Sequence, residues 1–225
     1  MKDPNDFRNI KVALRKTSLV DYPGKVAVAL FFCGCNLRCP WCYNWELVTA
    51  PPEDLTGLNE AFALIRKRKH LLGGVVLSGG EPTLLGELPE IIVEIKSMGL
   101  PVKLDTNGML PDVLKKLCEN ENTRPDFIAM DIKLPPERYI ALTGRKDDGP
   151  DKAREIADRI QESITFIRES GVEHEFRSLL LPAPPFFPKD LEVIKNIADE
   201  TLKIRAFHGG NCLDETWNRY NSTHV

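Results

Sequence analysis

A chain of 225 residues fits one domain of the larger kind, such as a complete or partial α/β barrel. Its 42% hydrophobic and 28% charged residues exclude a disordered or fibrous protein, and no apolar run approaches the roughly 18–20 residues that span a bilayer. The net charge of −3 gives no electrostatic reason for nucleic acid to bind the whole surface, although a local basic groove would not contradict it.

The opening Met1–Ile10 is polar and charged, unlike a secretory signal, so a cytoplasmic protein without membrane attachment is expected. Lys11–Thr17 and Ser18–Tyr22 read as short strands or loop, and Pro23-Gly24 as a turn. Lys25–Phe32 (KVAVALFF) is β-branched and apolar without alternation, the pattern of a strand buried on both faces. A cysteine-rich loop follows directly. Leu58–Leu72 is a predicted helix with Ala61, Leu64, Ile65 and His70 among its inner positions. Gly74–Leu77 is the next strand, leading into Ser78-Gly79-Gly80-Glu81-Pro82.

Leu88, Ile91, Ile92 and Ile95 form one stripe on a predicted helix over Leu85–Met98. Strand Pro101–Leu104 runs into Asp105-Thr106-Asn107-Gly108, followed by helix Leu110–Cys118. Strand Asp126–Ile132 ends at Asp131-Ile132-Lys133, and a longer link carries Tyr139 and Leu142-Thr143-Gly144. Ile156, Ile160, Ile164 and Ile167 mark a helix over Lys152–Glu169. Strand Glu173–Leu181, helix Lys189–Ala198 and strand Leu202–Phe207 complete the alternation, and the tail beyond Gly209 is irregular. About six strand–helix units predict a parallel sheet with right-handed crossovers, short of the eight in a closed barrel. The expected fold class is therefore α/β, an open, partial (β/α)6 TIM-like barrel in a single domain over 1–225. Cys35–Cys42, Gly79–Glu81, Asp105–Asn107, Asp131–Lys133 and His208 each follow a predicted strand, so all are expected at the rim where such folds place their sites.

Four of the six cysteines lie between Cys33 and Cys42, with Cys118 and Cys212 elsewhere. Disulfide staples would be spread along the chain, so clustered thiols point to a metal. Cys35, Cys39 and Cys42 have the spacing C-x3-C-x2-C. One short loop can offer three thiolates to a cubane whose usual complement is four, leaving one iron open to chelate an amine and a carboxylate. The plainer alternative is a structural zinc site with Cys33 as fourth ligand, against the usual separation of zinc ligands into pairs. Otherwise Cys33 is a small apolar residue of core or loop. Gly79-Gly80-Glu81 alone reads as a glycine turn; its functional reading is bare backbone that admits a ligand, beside carbonyls and a carboxylate for an ammonium.

These strings resemble the radical S-adenosylmethionine (SAM) superfamily, most closely at the cysteines and at Gly79–Pro82. The resemblance implies a [4Fe–4S] cluster on Cys35, Cys39 and Cys42, with SAM on the fourth iron, cleaved reductively to a 5′-deoxyadenosyl radical. It implies that Gly79, Gly80 and Glu81 bind the SAM amine. Within the superfamily, Asp105–Gly108 and Asp131–Lys133 are similar to the activating enzymes of glycyl-radical enzymes, of the pyruvate formate-lyase and anaerobic ribonucleoside-triphosphate reductase types. By that likeness Asp105 meets the SAM amine and, with Thr106 and Asp131, holds a monovalent cation, while Lys133 meets the SAM carboxylate. Tyr139 and Leu142–Gly144 match a stretch after the fourth strand of those enzymes. Arg177 would face SAM or substrate, and His208 the adenosine. Tyr43 departs from a frequent histidine but could pack on adenine.

The likeness runs from Ser18 to His208, and its Asp21-Tyr22-Pro23-Gly24 opening favours the reductase type. It implies a glycyl-radical enzyme as protein substrate and a flavodoxin or ferredoxin as electron donor, since no second cluster motif lies between Cys42 and Gly79. The alternative is a radical SAM enzyme that modifies a small molecule or an RNA nucleotide, because the shared core does not select the substrate.

Overall fold

A computed structural model describes residues 7–145, 149–182 and 187–220. The chain forms two compact units, the first from Met1–Cys35, Glu46–Asp105 and Asp112–Ile128, the second from Asn36–Trp45, Thr106–Pro111 and Ala129–Val225.

In the first unit, β1 (Lys11–Ser18) runs antiparallel to β2 (Ala27–Phe32), with Val12 opposite Phe32 and Leu14 opposite Leu30. The turn between them carries Pro23-Gly24, and Gly24 has φ 69°, a left-handed value that a side chain would strain. The two-residue β3 (Thr56–Gly57) borders β1 on its other edge, also antiparallel. Only Phe31 of β2 escapes full burial, as expected for a strand covered on both faces. β4 (Gly74–Gly79) pairs with β2 in parallel from Ala27↔Gly74 to Phe32↔Gly79, and β5 (Val102–Thr106) extends the parallel ladder through Leu77↔Leu104. β6 (Phe127–Asp131) begins beside β5, where the Asp126 amide donates to the Val102 carbonyl at 2.8 Å.

The longer helices of this unit form for reasons visible in their spacing. α1 (Trp45–Thr49) is a short turn after the cysteine loop, and α2 (Leu58–Arg68) buries Leu58, Ala61, Phe62 and Ile65. α2 ends earlier than its periodicity predicts: Lys69–Leu71 tighten into a 3-10 turn, which leaves His70 exposed instead of inside, and Leu64 is only half-buried. α3 (Leu88–Ser97) buries Leu88, Ile91, Ile92 and Ile95 completely. Each such side chain contributes roughly 1.5–3 kcal/mol of transfer free energy. Gly99, at φ 79°, stops α3 by donating back to the Lys96 carbonyl. α4 (Pro111–Cys118) follows β5.

In the second unit β6 continues to β7 (Glu173–Leu180), the Ile132 amide donating to the Arg177 carbonyl at 2.8 Å. β7 and β8 (Lys203–Ala206) are parallel from Arg177↔Lys203 to Leu180↔Ala206. α5 (Pro150–Glu169) buries its predicted isoleucine stripe, and α6 (Pro188–Ile197) leads to β8. The hydrogen-bonded strand order is β3-β1-β2-β4-β5-β6-β7-β8. Strands β2 and β4 to β8 are those of the predicted alternation; β1 and β3 are antiparallel additions at one end of that order. Among the described residues, no helix is long and apolar enough to cross a membrane.

Candidate functional site

In the first unit the chain leaves β2 at Phe32 and turns at Gly34 (φ 85°) to reach Cys35. Because Phe32 pairs with Gly79, the end of β4 lies against this turn. The Gly80 amide donates to the Phe32 carbonyl at 2.9 Å, and the Glu81 amide to the Gly34 carbonyl at 2.8 Å. A Cβ on Gly79 would sit 2.3 Å from the Phe32 nitrogen, and one on Gly80 would sit 1.9 Å from the Gly34 oxygen. The glycines are therefore required first by the chain's own cysteine turn, a reason the sequence alone does not reveal. Glu81 is buried and caps a 3-10 turn, its Oε1 accepting from the Thr83 amide at 3.2 Å and the Thr83 hydroxyl at 2.5 Å.

Asp105, the penultimate residue of β5, lies in the same unit. Its Oδ2 accepts from the Ser78 hydroxyl at 2.9 Å, and its Oδ1 pairs with the Lys103 ammonium. Lys103 is 1% exposed. The signal for this lysine in the sequence is a charge in the middle of a predicted buried strand, two residues before an aspartate on the same face.

The rest of the cysteine loop belongs to the second unit, where three separate stretches hold it. The Arg38 amide donates to the Leu142 carbonyl at 2.6 Å. The Asn107 side-chain amide donates to Asn36 Oδ1 at 2.7 Å, while Asn107 Oδ1 accepts from the Met109 amide at 3.0 Å. Thr106 accepts from the Gly108 amide at 3.1 Å, closing the Asp-Thr-Asn-Gly turn. From the tail, the Leu213 amide donates to the Cys42 carbonyl at 3.2 Å and the Asp214 amide to the Pro40 carbonyl at 2.9 Å. Trp41 packs on Trp217 at 5.3 Å between ring centroids. The Cys42 amide donates to the Cys39 carbonyl at 3.0 Å, so these two ligand candidates share one tight turn. Cys39 is buried, Cys35 and Cys42 are half-buried, and Cys33 is exposed rather than in the core.

Beside that turn stands an ion-pair group. Arg177 Nε donates to Asp131 Oδ1 at 2.7 Å and Lys133 Nζ to Asp131 Oδ2 at 3.1 Å; Arg177 also lies 3.9 Å from Glu175. Burial pushes the Asp131 carboxyl up, but Arg177 and Lys133 outweigh it and hold it well below the usual carboxylate range. Burial opposes the Lys133 charge, and Asp131 followed by Cys39 overcomes it, so the ammonium stays protonated far above its ordinary range. Buried Tyr139 accepts from the Lys133 amide at 2.8 Å and donates to the Asp131 carbonyl at 3.2 Å. Burial raises the Cys42 thiol, while Lys133, the Asn44 amide and Arg38 pull it down.

Tyr43 and His208 are brought together as well. Tyr43 stacks on Phe207 at 5.9 Å and donates its hydroxyl to the His208 carbonyl at 2.7 Å. The His208 side chain is exposed.

The Radical SAM superfamily model matches residues 30–183, a span that takes in both the cysteine loop and the glycine turn on the next parallel strand. The chain belongs to the radical SAM superfamily. This radical SAM protein is 31% identical, over 205 residues, to a Methanocaldococcus jannaschii protein provisionally named a glycyl-radical enzyme activating enzyme; the match covers 90% of this chain and 81% of that protein. It is 39% identical to the 7-carboxy-7-deazaguanine synthase of Hyperthermus butylicus over 94 residues, 40% of this chain and 38% of that protein. A solved structure of TYW1 with a lysine–pyruvate adduct bound matches with TM-score 0.54 and 16% identity, covering 80% of this chain and 64% of that one. That likeness shows the fold, the partial TIM-like α/β barrel expected from the strand–helix alternation.

Membership implies a [4Fe–4S] cluster and SAM. The donor set fits: three thiols in eight residues, with the charges of Lys133 and Arg38 partly offsetting the burial that raises the Cys42 thiol. Among the described residues no group of three or more His, Cys, Asp or Glu is drawn together for a single metal ion. A cubane instead presents separate corners to separate thiolates.

Proposed function

We propose that this radical SAM enzyme activates a glycyl-radical enzyme by taking a Cα hydrogen atom from a glycine in a loop of that partner. The observation that supports this most is the extent of the likeness to the M. jannaschii protein provisionally named an activating enzyme: it covers 90% of this chain, against 40% and 64% for the deazaguanine synthases of H. butylicus and Methanopyrus kandleri. When bound, the cluster and SAM supply one-electron reductive cleavage of a carbon–sulfur bond, the source of the hydrogen-abstracting radical.

In this reading residues 1–225 are a single radical SAM domain with its core at about 18–208 by the motif limits. Cys35, Cys39 and Cys42 are the cluster ligands. The backbone of Gly79 and Gly80, with Glu81 and Asp105, receives the SAM ammonium, and Lys133 its carboxylate. Thr106 and Asp131 orient those charges, Arg177 faces SAM or the incoming loop, and Tyr43 and His208 border the adenosine. The electron comes from a flavodoxin or ferredoxin in the cytoplasm, where reduced thiols persist.

The test is anaerobic incubation of the reconstituted protein with dithionite, SAM and candidate glycyl-radical proteins, followed by electron spin resonance. A glycyl-radical signal on a partner, absent with Cys39→Ala, is expected. Turnover of SAM that leaves every such partner diamagnetic but modifies a small molecule or RNA would replace this reading with the alternative one.

A further inference from the structure

Lys103 is the least expected charge in the fold. It stands between Val102 and Leu104 on a strand whose neighbours are completely buried, and is itself 1% exposed. A lysine so far from water persists as a cation only when its charge is met. The pleat supplies the answer: residues two apart share a face, so Lys103 and Asp105 point the same way from β5. Their side chains pair, with Asp105 16% exposed. The register Leu77↔Leu104 brings Ser78 level with Asp105, and its hydroxyl takes the other carboxylate oxygen at 2.9 Å.

The resemblance leads one to expect a monovalent cation held by Asp105, Thr106 and Asp131. The residues do not fit that expectation. The Asp105 charge is answered by Lys103 in one unit. In the other, Asp131 meets both Lys133 and Arg177, and Glu175 lies near Arg177, so two carboxylates face two cations. The Asp105 and Asp131 carboxylates thus already face cations of this chain, and the Thr106 hydroxyl already accepts from Gly108.

We propose that Lys103 is a positioning residue, the built-in counter-ion of Asp105, whose ammonium takes the place of a bound monovalent cation and frees this protein from requiring one. With Ser78 it fixes the direction of the Asp105 carboxylate, which in the proposed site faces the SAM ammonium. The proposal rests on Asp105 belonging to the SAM site and is independent of which molecule accepts the radical.

Equilibrium binding of SAM to the anaerobically reconstituted full chain tests it, in potassium, sodium and choline chloride at equal ionic strength. The wild-type Kd is expected to agree within about twofold in all three, given that 1.4 kcal/mol is tenfold. Lys103→Met is expected to bind SAM at least about tenfold more weakly in choline and to recover in sodium or potassium, as a small cation enters beside Asp105. Lys103→Gln, which keeps a donor without the charge, should behave like Lys103→Met. A wild-type protein that loses SAM affinity in choline overturns the proposal without any variant being needed. So does a Lys103 variant that binds SAM normally in choline, or one equally weakened in every salt. Wild type that binds no SAM in any salt overturns the site assignment and the proposal with it, whereas SAM binding without activation of a glycyl-radical partner touches only the proposed function.

Discussion

Tyr43 and His208 stand 165 residues apart in the chain, yet the Tyr43 hydroxyl donates to the His208 carbonyl at 2.7 Å and accepts from the His208 amide at 3.3 Å. The residue that follows the last loop cysteine thus grips the end of the last strand by its backbone, leaving the imidazole free to face outward. Tyr43→Phe removes the hydroxyl and keeps the stack on Phe207. A stability loss of about 1 kcal/mol is expected by urea titration of the apo protein. Tyr43→Ala should cost roughly 0.5–1.5 kcal/mol more, because the aromatic pair goes too.

The tail is expected to act as a brace for the cysteine loop. Trp217 is 5% exposed and touches the rings of Trp41, Phe207 and Tyr220. Trp217→Ala should destabilise the protein by about 3–5 kcal/mol. Hydrogen exchange should then show the Leu213 and Asp214 amides, which bond to the Cys42 and Pro40 carbonyls, losing protection ahead of β2 and β4.

Tyr139 illustrates a buried hydroxyl with two backbone partners, the Lys133 amide and the Asp131 carbonyl. Tyr139→Phe keeps the ring but strands a buried amide, so a loss of about 1–3 kcal/mol is expected in thermal or urea unfolding. An unchanged midpoint would show that water replaces the hydroxyl without cost.

Asp131 gives a pH signature. Its carboxyl titrates below the unfolded value, so its contribution to stability is complete above about pH 4 and is lost as pH falls through the depressed native value. Asp131→Asn should therefore be less stable than wild type near neutrality, and the difference should shrink below about pH 4. Because the Asp131 side chain is 35% exposed, the neutral-pH loss should fall below the ~3–5 kcal/mol of a fully buried pair. Urea titrations of the apo protein at pH 3 and pH 6 make the comparison.

Gly80→Ala separates two readings of the glycine turn. If the turn served only to admit a ligand, the variant would fold normally and bind SAM poorly. The 1.9 Å approach of an added Cβ to the Gly34 oxygen instead predicts a displaced cysteine turn, seen as failed cluster reconstitution and a lowered melting temperature before any SAM is added.

Much of this protein was legible in its residues. The unbroken apolar run of β2, the isoleucine stripes of α3 and α5 and the crowded cysteines announce parallel strands, covering helices and a thiolate site, because period and spacing are local properties that survive in any fold containing them. His70 shows where locality fails: the 3.6-residue pattern runs on, but a 3-10 turn rotates the side chain outward.

What only the tertiary structure decided concerns partners distant in sequence. That Gly80 is bare for the sake of Gly34, that Asn107 latches Asn36, that Arg177 and Lys133 share Asp131, and that the tail braces Cys42 all follow from strand register and loop closure, which no short window contains. The choice of residues at β5 states that a lysine and an aspartate lie on one face. Only burial turns that pair into an obligatory ion pair, since a charge removed from water must be answered where it stands.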